Sequence, residues 1–296
     1  MKKWKWIVLT VIGIGLLVLF GSGGYVYHQA SQTLEDVQLP VEASVAAIEA
    51  VEQERTISFL LLGVDQHGDE AGRSDTIIVA TIDPASGESK MLSIPRDLKT
   101  EIIGNGSRDK INHAYAFGGP EMAIDTVENL LDIRIDYFAE INLEGFTDLV
   151  DAVDGVRVTN DIDFSYYEMQ FPVGQLDLNG KEALAYARMR YDDPRGDFGR
   201  QIRQRQVVQA VADKLTADFS LSRFNDVLSV LGENVKTNVP FPVVRKIALD
   251  YRDALKNVET LSLEGSGGIE SDQIYYWHPT AESLKEVQTS LQQSLR

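Results

Sequence analysis

The chain has no cysteine and few histidines, and both shortages limit the cross-links and metal sites that it can form. Without cysteine it can form neither a disulfide nor a thiolate metal site. The four histidines (His28, His67, His113 and His278) are scattered, with no spacing that suits a shared zinc ion. A zinc site is therefore not expected, whereas a site in which carboxylates bind a hard cation is compatible with the composition.

Positive charge is also scarce along the chain. There are 28 Lys and Arg residues against 45 Asp and Glu residues, which gives a formal net charge of -17. Such an excess of negative charge repels phosphate backbones, so we expect no nucleic-acid partner. The hydrophobic share of 44% is typical of a globular protein, and 296 residues allow one large domain or two small ones.

A long uncharged stretch runs from Trp6 to Tyr27, directly after three lysines. A membrane-spanning helix needs about 20 residues, and lysines before it keep the N-terminus in the cytoplasm. We predict a cytoplasmic tail at 1–6 and a single-pass transmembrane signal-anchor helix at 7–27, with the rest of the chain outside the cell membrane. The alternative is a cleaved signal peptide, for which Gly21–Gly24 offers small residues but no Ala-x-Ala site.

The remainder of the chain alternates between strand and helix patterns. Residues 28–55 carry apolar side chains at helical spacing and predict an extracytoplasmic stalk or packing helix. From 56 to 296 no long linker interrupts the pattern, which favours one α/β domain of three layers (α/β/α) with a mixed central β-sheet. The main predicted strands are 57–65, 76–82, 90–94, 137–142 and 258–263. The main predicted helices are 121–131, 143–153, 198–215, 223–231, 243–255 and 281–291.

Six arginines lie between Arg188 and Arg205 in this acidic chain. Guanidinium groups bind phosphate oxygens two at a time, which indicates an anion site. With about 100° per helical residue, Arg200 and Gln204 fall in line with the stripe that must face the core. Arg203 falls at the edge of that stripe. Arg205 points away from it and is expected in solvent.

An arginine that faces the core needs a partner, because an unpaired buried charge is costly. A bound anion at the helix N-terminus would satisfy Arg200. An internal carboxylate such as Asp197 would satisfy it equally well. Arg195 lies in a Pro/Gly loop that is expected only to border the site.

Charged residues also stand at the ends of three predicted strands. Asp65 ends the first strand, Arg73 and Asp75 open the second, and Arg96 and Asp97 follow the third. The edge of a sheet is where α/β domains bind ligands. Each group taken alone is weak evidence, because ordinary surface ion pairs have the same appearance.

Six segments in order resemble the LytR-CpsA-Psr family of cell-wall glycopolymer ligases. They are Leu62-Gly-Val-Asp65, Arg73-Ser-Asp75-Thr, Ser93-Ile-Pro-Arg96-Asp97, Lys110-Ile-Asn112-His-Ala-Tyr115, Ala187-Arg188-Met-Arg190 and Asp197-Phe-Gly-Arg200-Gln-Ile-Arg203-Gln204. The resemblance covers residues 57–217. It implies a phosphotransferase that moves an anionic glycopolymer, of the teichoic acid or capsule type, from a polyprenyl diphosphate carrier to peptidoglycan. The acceptor would be the C6 hydroxyl of muramic acid, with Mg²⁺ or another divalent cation bound to the diphosphate.

The same resemblance implies roles for individual residues. Asp65 and Asp75 are expected to bind the metal ion. The diphosphate is expected to contact Arg73, Arg96, Lys110, Arg188, Arg190, Arg200 and Gln204. Arg73, Arg96, Asp97 and Asp197 are expected to take part in catalysis, and the general base is left open among Asp75, Asp97 and Asp197.

A lipid-linked donor also needs space for its tail. Helix 121–131 and strand 137–142 are expected to line an apolar pocket for it, although both patterns fit an ordinary core equally well. Two other functions remain open. One is a polyprenyl-diphosphate hydrolase, and the other is a non-catalytic, membrane-anchored module that binds an envelope polymer or regulates its use.

Overall fold

The computed structural model describes residues 44–65, 72–217, 227 and 234–296. The helices in these ranges are α1 (Val45–Glu52), α2 (His113–Leu131), α3 (Leu143–Ala152), α4 (Gly180–Arg188), α5 (Asp197–Ala217), α6 (Phe241–Asp250) and α7 (Ala281–Ser294). The first strands are β1 (Ile57–Asp65), β2 (Arg73–Asp83), β3 (Glu88–Ser93), β4 (Lys99–Ile102), β5 (Ser107–Lys110), β6 (Tyr137–Asn142) and β7 (Val156–Asn160). The later strands are β8 (Phe164–Tyr166), β9 (Met169–Phe171), β10 (Gly174–Leu178), β11 (Val235–Thr237), β12 (Val258–Leu261), β13 (Gly265–Ile269) and β14 (Tyr275–Pro279).

Six strands form the central sheet, in the order β11-β6-β1-β2-β3-β12. β1 pairs with β6, and β3 with β12, in parallel. The pairs β1–β2, β2–β3 and β6–β11 are antiparallel. β1 reads as a nearly continuous apolar run because helices cover both of its faces. The predicted mixed sheet is therefore confirmed.

Helices cover both faces of this sheet. On one face, Leu60 and Leu62 of β1 pack in a core with α2 and α7. On the other face, α3, α4 and α5 share a second core with β7 and β10. A third cluster joins α1 and α6 to the amino end of β1. The alternation of side chains along β1 thus separates two apolar layers.

Several element boundaries differ from the prediction. α2 begins at His113 rather than at 121, but Gly118 and Gly119 leave helical geometry just before Pro120. The regular part of the helix therefore starts where proline favours a helix start. α6 ends at Asp250, before the predicted end at 255. The predicted helix 223–231 lies outside the described residues, apart from Val227.

The predicted cytoplasmic tail and membrane span also lie outside the described residues. Of the predicted stalk, the structure describes residues 44–55, in which the side chain of Ser44 caps α1. In the part of the chain that is described, no helix has the length and apolar character needed to cross a bilayer.

Candidate functional site

A cavity of about 480 Å³ opens beside the carboxyl end of β1, between the sheet and helices α3, α4 and α5. Its two ends differ in chemistry. The polar end is lined by Asp65, Asp75, Arg96, Arg188, Arg190, Arg200 and Gln204. The apolar end is lined by Ile141, Leu143, Phe146, Leu149, Leu184, Val207, Val208, Val211 and Val235.

Helix α5 contributes to both ends of the cavity. Arg200 and Gln204 line the polar end, and Val207, Val208 and Val211 follow them along the same side of the helix. The predicted alignment of Arg200 and Gln204 with the inward stripe is thus confirmed. One side of α5 therefore presents polar side chains at its amino end and an apolar surface further along the helix.

Asp75 is held between two side chains at the mouth of the cavity. Arg96 Nη1 lies 2.6 Å from Asp75 Oδ2, and Asn112 Nδ2 donates to Asp75 Oδ1 over 3.1 Å. Burial acts to lower the pKa of Arg96, but the charges of Asp75, Asp97 and Asp197 outweigh it, so the pKa of Arg96 is raised. Asn112 was not predicted as a site residue, although it lies in the segment from Lys110 to Tyr115.

Arg200 is buried beside the cavity, and not all of its N–H groups have hydrogen-bond partners among the described residues. Its Nη2 atom lies 2.7 Å from Asp197 Oδ1 and 3.3 Å from the carbonyl oxygen of Asp75. Burial, together with the nearby charges of Arg96 and Arg190, lowers the pKa of Arg200 despite the carboxylates. Its buried Nε has no hydrogen-bond partner among the described residues. A bound anion would supply that partner.

Arg188 and Arg190 lie on the segment that leaves α4. A capping box of Asn179 and Glu182 begins this helix. Arg188 Nη2 lies 3.9 Å from Asp65 Oδ2, and its side chain is 39% exposed. Arg190 lies beside the ring of Tyr191, which is also part of the lining. Both arginines are therefore accessible to a ligand in the cavity.

Arg203 belongs to the protein interior rather than to the margin of the site. It is 1% exposed, and its Nη1 donates to Asp193 Oδ2 over 2.6 Å. Its other nitrogens donate to the carbonyl oxygens of Tyr186 and Met189. Arg195 also pairs with Asp193, as well as with Asp161 outside the core. This network fixes the segment that carries the two accessible arginines.

Four predicted site residues lie outside the cavity lining. Arg73 is exposed on β2, opposite Asp65. Asp97 and Lys110 pair with each other at 2.7 Å, and Asp97 Oδ2 lies 3.7 Å from Arg96 Nε. This pair therefore borders the polar end without forming its wall. Asp197 likewise borders it, through Arg200.

Two expectations about packing are wrong. Arg205 does not face solvent, because its Nη1 donates to Ser93 Oγ of β3 over 2.7 Å. Burial lowers the pKa of Arg205. Strand 137–142 does line the cavity, but α2 packs against the opposite face of the sheet. The apolar wall is formed by α3, α4 and α5 instead.

A preformed metal cage is not a feature of the described part of the chain, which contains no group of three or more His, Asp or Glu side chains arranged to hold an ion. Asp65 and Asp75 nevertheless line the same end of the cavity. Mg²⁺ commonly takes one or two protein carboxylates and completes its shell with phosphate oxygens and water. The donor set therefore fits a metal ion that arrives with a phosphorylated ligand.

The α/β fold, the arginine-lined site and the apolar cavity define a class of protein that can be compared with known families. The chain belongs to the LytR_cpsA_psr family, whose model matches residues 23–293. A Bacillus subtilis (strain 168) relative named polyisoprenyl-teichoic acid–peptidoglycan teichoic acid transferase TagU is 43% identical over 300 residues, covering 99% of this chain and 97% of the relative.

Solved structures show the same similarity. The crystal structure of B. subtilis TagU matches with a TM-score of 0.69 at 43% identity, covering 82% of this chain and 97% of that one. A structure of TagT bound to LI-WTA matches with a TM-score of 0.71 at 33% identity, covering 82% and 92%.

Proposed function

We propose that this protein transfers an anionic glycopolymer, of the teichoic acid or capsule type, from a polyprenyl diphosphate carrier to muramic acid in peptidoglycan. The observation that carries the proposal is the cavity, in which a cluster of arginines adjoins an apolar compartment. A lipid diphosphate has the same two parts in the same order. The transferase names of the relatives support this choice of reaction.

The donor is proposed to lie along α5. Its diphosphate contacts Arg96, Arg188, Arg190 and Arg200, with Gln204 beside them, and its isoprenoid chain enters the apolar end. Guanidinium forks neutralise phosphate oxygens and stabilise charge that develops during transfer. The buried, unsatisfied Nε of Arg200 favours binding of an anion at this position.

Asp65 and Asp75 are the residues that would hold Mg²⁺ or another divalent cation. When bound, the ion would neutralise charge on the diphosphate oxygens. Arg96 and Asn112 each hold one oxygen of Asp75 and so fix the plane of its carboxylate. Each oxygen accepts one hydrogen bond in this arrangement and keeps a lone pair in a fixed direction, with which it could bind a metal ion.

The transfer step is a substitution at phosphorus. The C6 hydroxyl oxygen of the acceptor attacks the phosphorus that bears the glycopolymer, and the bond to the polyprenyl phosphate oxygen breaks. A carboxylate takes the hydroxyl proton. We assign this role to Asp97 and to its Oδ2 atom. Lys110 binds Asp97 Oδ1 at 2.7 Å, whereas Oδ2 is 3.7 Å from Arg96 Nε. In Asp197 both oxygens are engaged, Oδ1 by Arg200 at 2.7 Å and Oδ2 by Gln201 at 3.0 Å.

A reconstituted reaction tests the proposal. The full-length chain in lipid vesicles is incubated with lipid-linked glycopolymer, Mg²⁺ and a polymer-free peptidoglycan oligomer. Polymer linked covalently to the oligomer is the expected product. If phosphorylated polymer is released but none is linked to the oligomer, the protein is a hydrolase. If the donor binds without turnover, the protein is a non-catalytic module.

Arg200→Lys tests the arginine cluster in the same assay. Lysine keeps the positive charge but loses the planar fork, so turnover is expected to fall about a hundredfold. Arg134→Lys is the matched control, because Arg134 is a surface residue paired with Glu128. Near-normal turnover in Arg200→Lys would contradict the assignment of this residue.

A further inference from the structure

The hairpin of β13 and β14 carries flat aromatic rings over a glycine strand. Tyr275 and Trp277 are two residues apart on β14 and so share one face. A Cβ atom at Gly267 would collide with the ring of Tyr275, and one at Gly265 would collide with the ring of Trp277. Glycine at these positions therefore lets both rings lie across the neighbouring strand.

A third ring continues this row toward the cavity. Phe198, in the first turn of α5, meets the ring of Trp277 edge to face with centroids 5.9 Å apart. Tyr275 is 44% exposed and Phe198 is 41% exposed, whereas Trp277 is buried and supports them. We call Tyr275, Trp277 and Phe198 the aromatic track.

The aromatic track ends at the arginine cluster. The backbone nitrogen of Trp277 donates to the carbonyl oxygen of Asp97 over 2.9 Å, and Asp97 follows Arg96 of the cavity lining. Trp277 packs in the core shared with α2 and α7. Along α5, Phe198 precedes Arg200 and Gln204, and these precede the valines of the apolar end. The arginine cluster therefore lies between the track and the apolar end of the cavity.

In phosphoryl transfer, the attacking and leaving oxygens lie roughly in line on opposite sides of the phosphorus. The leaving group of the proposed reaction is polyprenyl phosphate, whose chain is placed in the apolar end of the cavity. The nucleophile must then enter from the opposite side of the arginine cluster. That side carries the aromatic track and the carboxylate of Asp97.

We propose that the aromatic track binds the acceptor glycan of the proposed reaction, so the inference rests on that function. The faces of the aromatic rings carry partial negative charge and attract the C–H faces of sugar rings. The exposed rings of Tyr275 and Phe198 stack on successive sugars of the strand, and the reacting hydroxyl reaches Asp97.

Trp277 provides a direct test of binding. The chain has three tryptophans, and the other two are Trp4 and Trp6. In a full-length Trp4→Phe, Trp6→Phe background, emission comes from Trp277 alone. Titration with a polymer-free peptidoglycan oligomer is expected to change this emission saturably. An unchanged emission at oligomer concentrations that saturate transfer would overturn the inference.

Kinetics of single variants test the exposed rings. Tyr275→Ala and Phe198→Ala are each expected to raise the KM for the oligomer about fivefold while the donor KM stays constant. Tyr275→Phe keeps the ring and is expected to restore the acceptor KM. Leu249→Ala on α6 removes another exposed apolar side chain, 53% exposed, and is the control.

Neighbouring glycines supply a matched pair within β13. Gly267→Ala displaces the Tyr275 ring and is expected to raise the acceptor KM, whereas Gly268→Ala meets open space and leaves it unchanged. A wild-type chain that links no polymer to the oligomer would overturn the proposed function. A wild-type chain that does so, with unaltered acceptor KM in Tyr275→Ala and Phe198→Ala, would overturn only the role of the track.

Discussion

The six arginines between Arg188 and Arg205 share one chemistry but differ in surroundings. Arg188, Arg190 and Arg200 line the cavity. Arg195 and Arg203 bind the carboxylate of Asp193 instead. Arg203 donates from Nε, Nη1 and Nη2 to oxygen acceptors and so gains little from phosphate. Arg200 contacts Asp197 and the carbonyl oxygen of Asp75 through Nη2, but its buried Nε has no hydrogen-bond partner among the described residues. Local surroundings therefore separate ligand-binding arginines from structural ones.

The Arg203–Asp193 pair is expected to stabilise the fold strongly. Arg203→Met leaves the buried Asp193 carboxylate with Arg195 and removes the donor to the carbonyl oxygens of Tyr186 and Met189, so it should lower the free energy of unfolding by about 3 kcal/mol. Arg157→Met breaks the exposed pair with Asp177 and should cost less than about 1 kcal/mol. Urea unfolding of the two variants measures the difference, and equal losses would contradict this prediction.

The same pair predicts a pH dependence. Burial acts to raise the pKa of Asp193, but hydrogen bonds from Arg195 and Arg203 outweigh it and hold the pKa well below its usual range. The stabilisation is therefore fully present above the unfolded-state pKa of about 3.9 and is lost as pH falls toward the folded-state value. Asp193→Asn should flatten the loss of stability below pH 4 in the same unfolding measurement.

At the scale of elements, helix α5 organises the site. Its first turn contributes Phe198 to the aromatic track and Arg200 to the arginine cluster. Gln204 follows one turn later, and the middle of the helix forms the apolar wall. Gly199 permits this placement, because a Cβ atom there would collide with the carboxylate of Asp193. The order of residues on one helix thus sets the order of the proposed ligand parts.

A larger side chain at the apolar end of the cavity is expected to weaken binding of donors with long lipid chains. Val208 lines the cavity without belonging to the buried core, so Val208→Trp should reduce the free volume with limited strain. The KM for a long-chain polyprenyl donor should rise about tenfold or more, while affinity for inorganic diphosphate stays constant. Val208→Ala, which enlarges the cavity, is the control. An unchanged KM in Val208→Trp would place the lipid elsewhere.

At the scale of the whole molecule, the N-terminal anchor stays a prediction. The uncharged stretch from Trp6 to Tyr27 is long enough to span a bilayer. We expect the full-length chain to sediment with membranes and to be digested by protease added outside intact cells. Deleting residues 7–27 should prevent this export. A secreted chain whose N-terminus lies just after Gly24 would instead identify a cleaved signal peptide.

Much of the fold could be predicted because its signals are local. The apolar run of β1, the capping box of α4 and the helical stripe of α5 each depend on residues a few positions apart. The charged residues at strand ends also predicted part of the site, since Asp75 and Arg96 do meet. In contrast, β13 was not predicted, because its five exposed residues show no alternation.

By itself, the sequence determined the mixed α/β fold, the inward position of Arg200 and Gln204, and the resemblance to a ligase family. These depend on periodicity and on residue order, which survive without any knowledge of packing. Only the tertiary structure decided that Arg203 is structural, that Arg205 meets β3, and that α5 rather than α2 forms the apolar wall. Each of these depends on which distant element packs against a given face, and no short-range pattern encodes that choice.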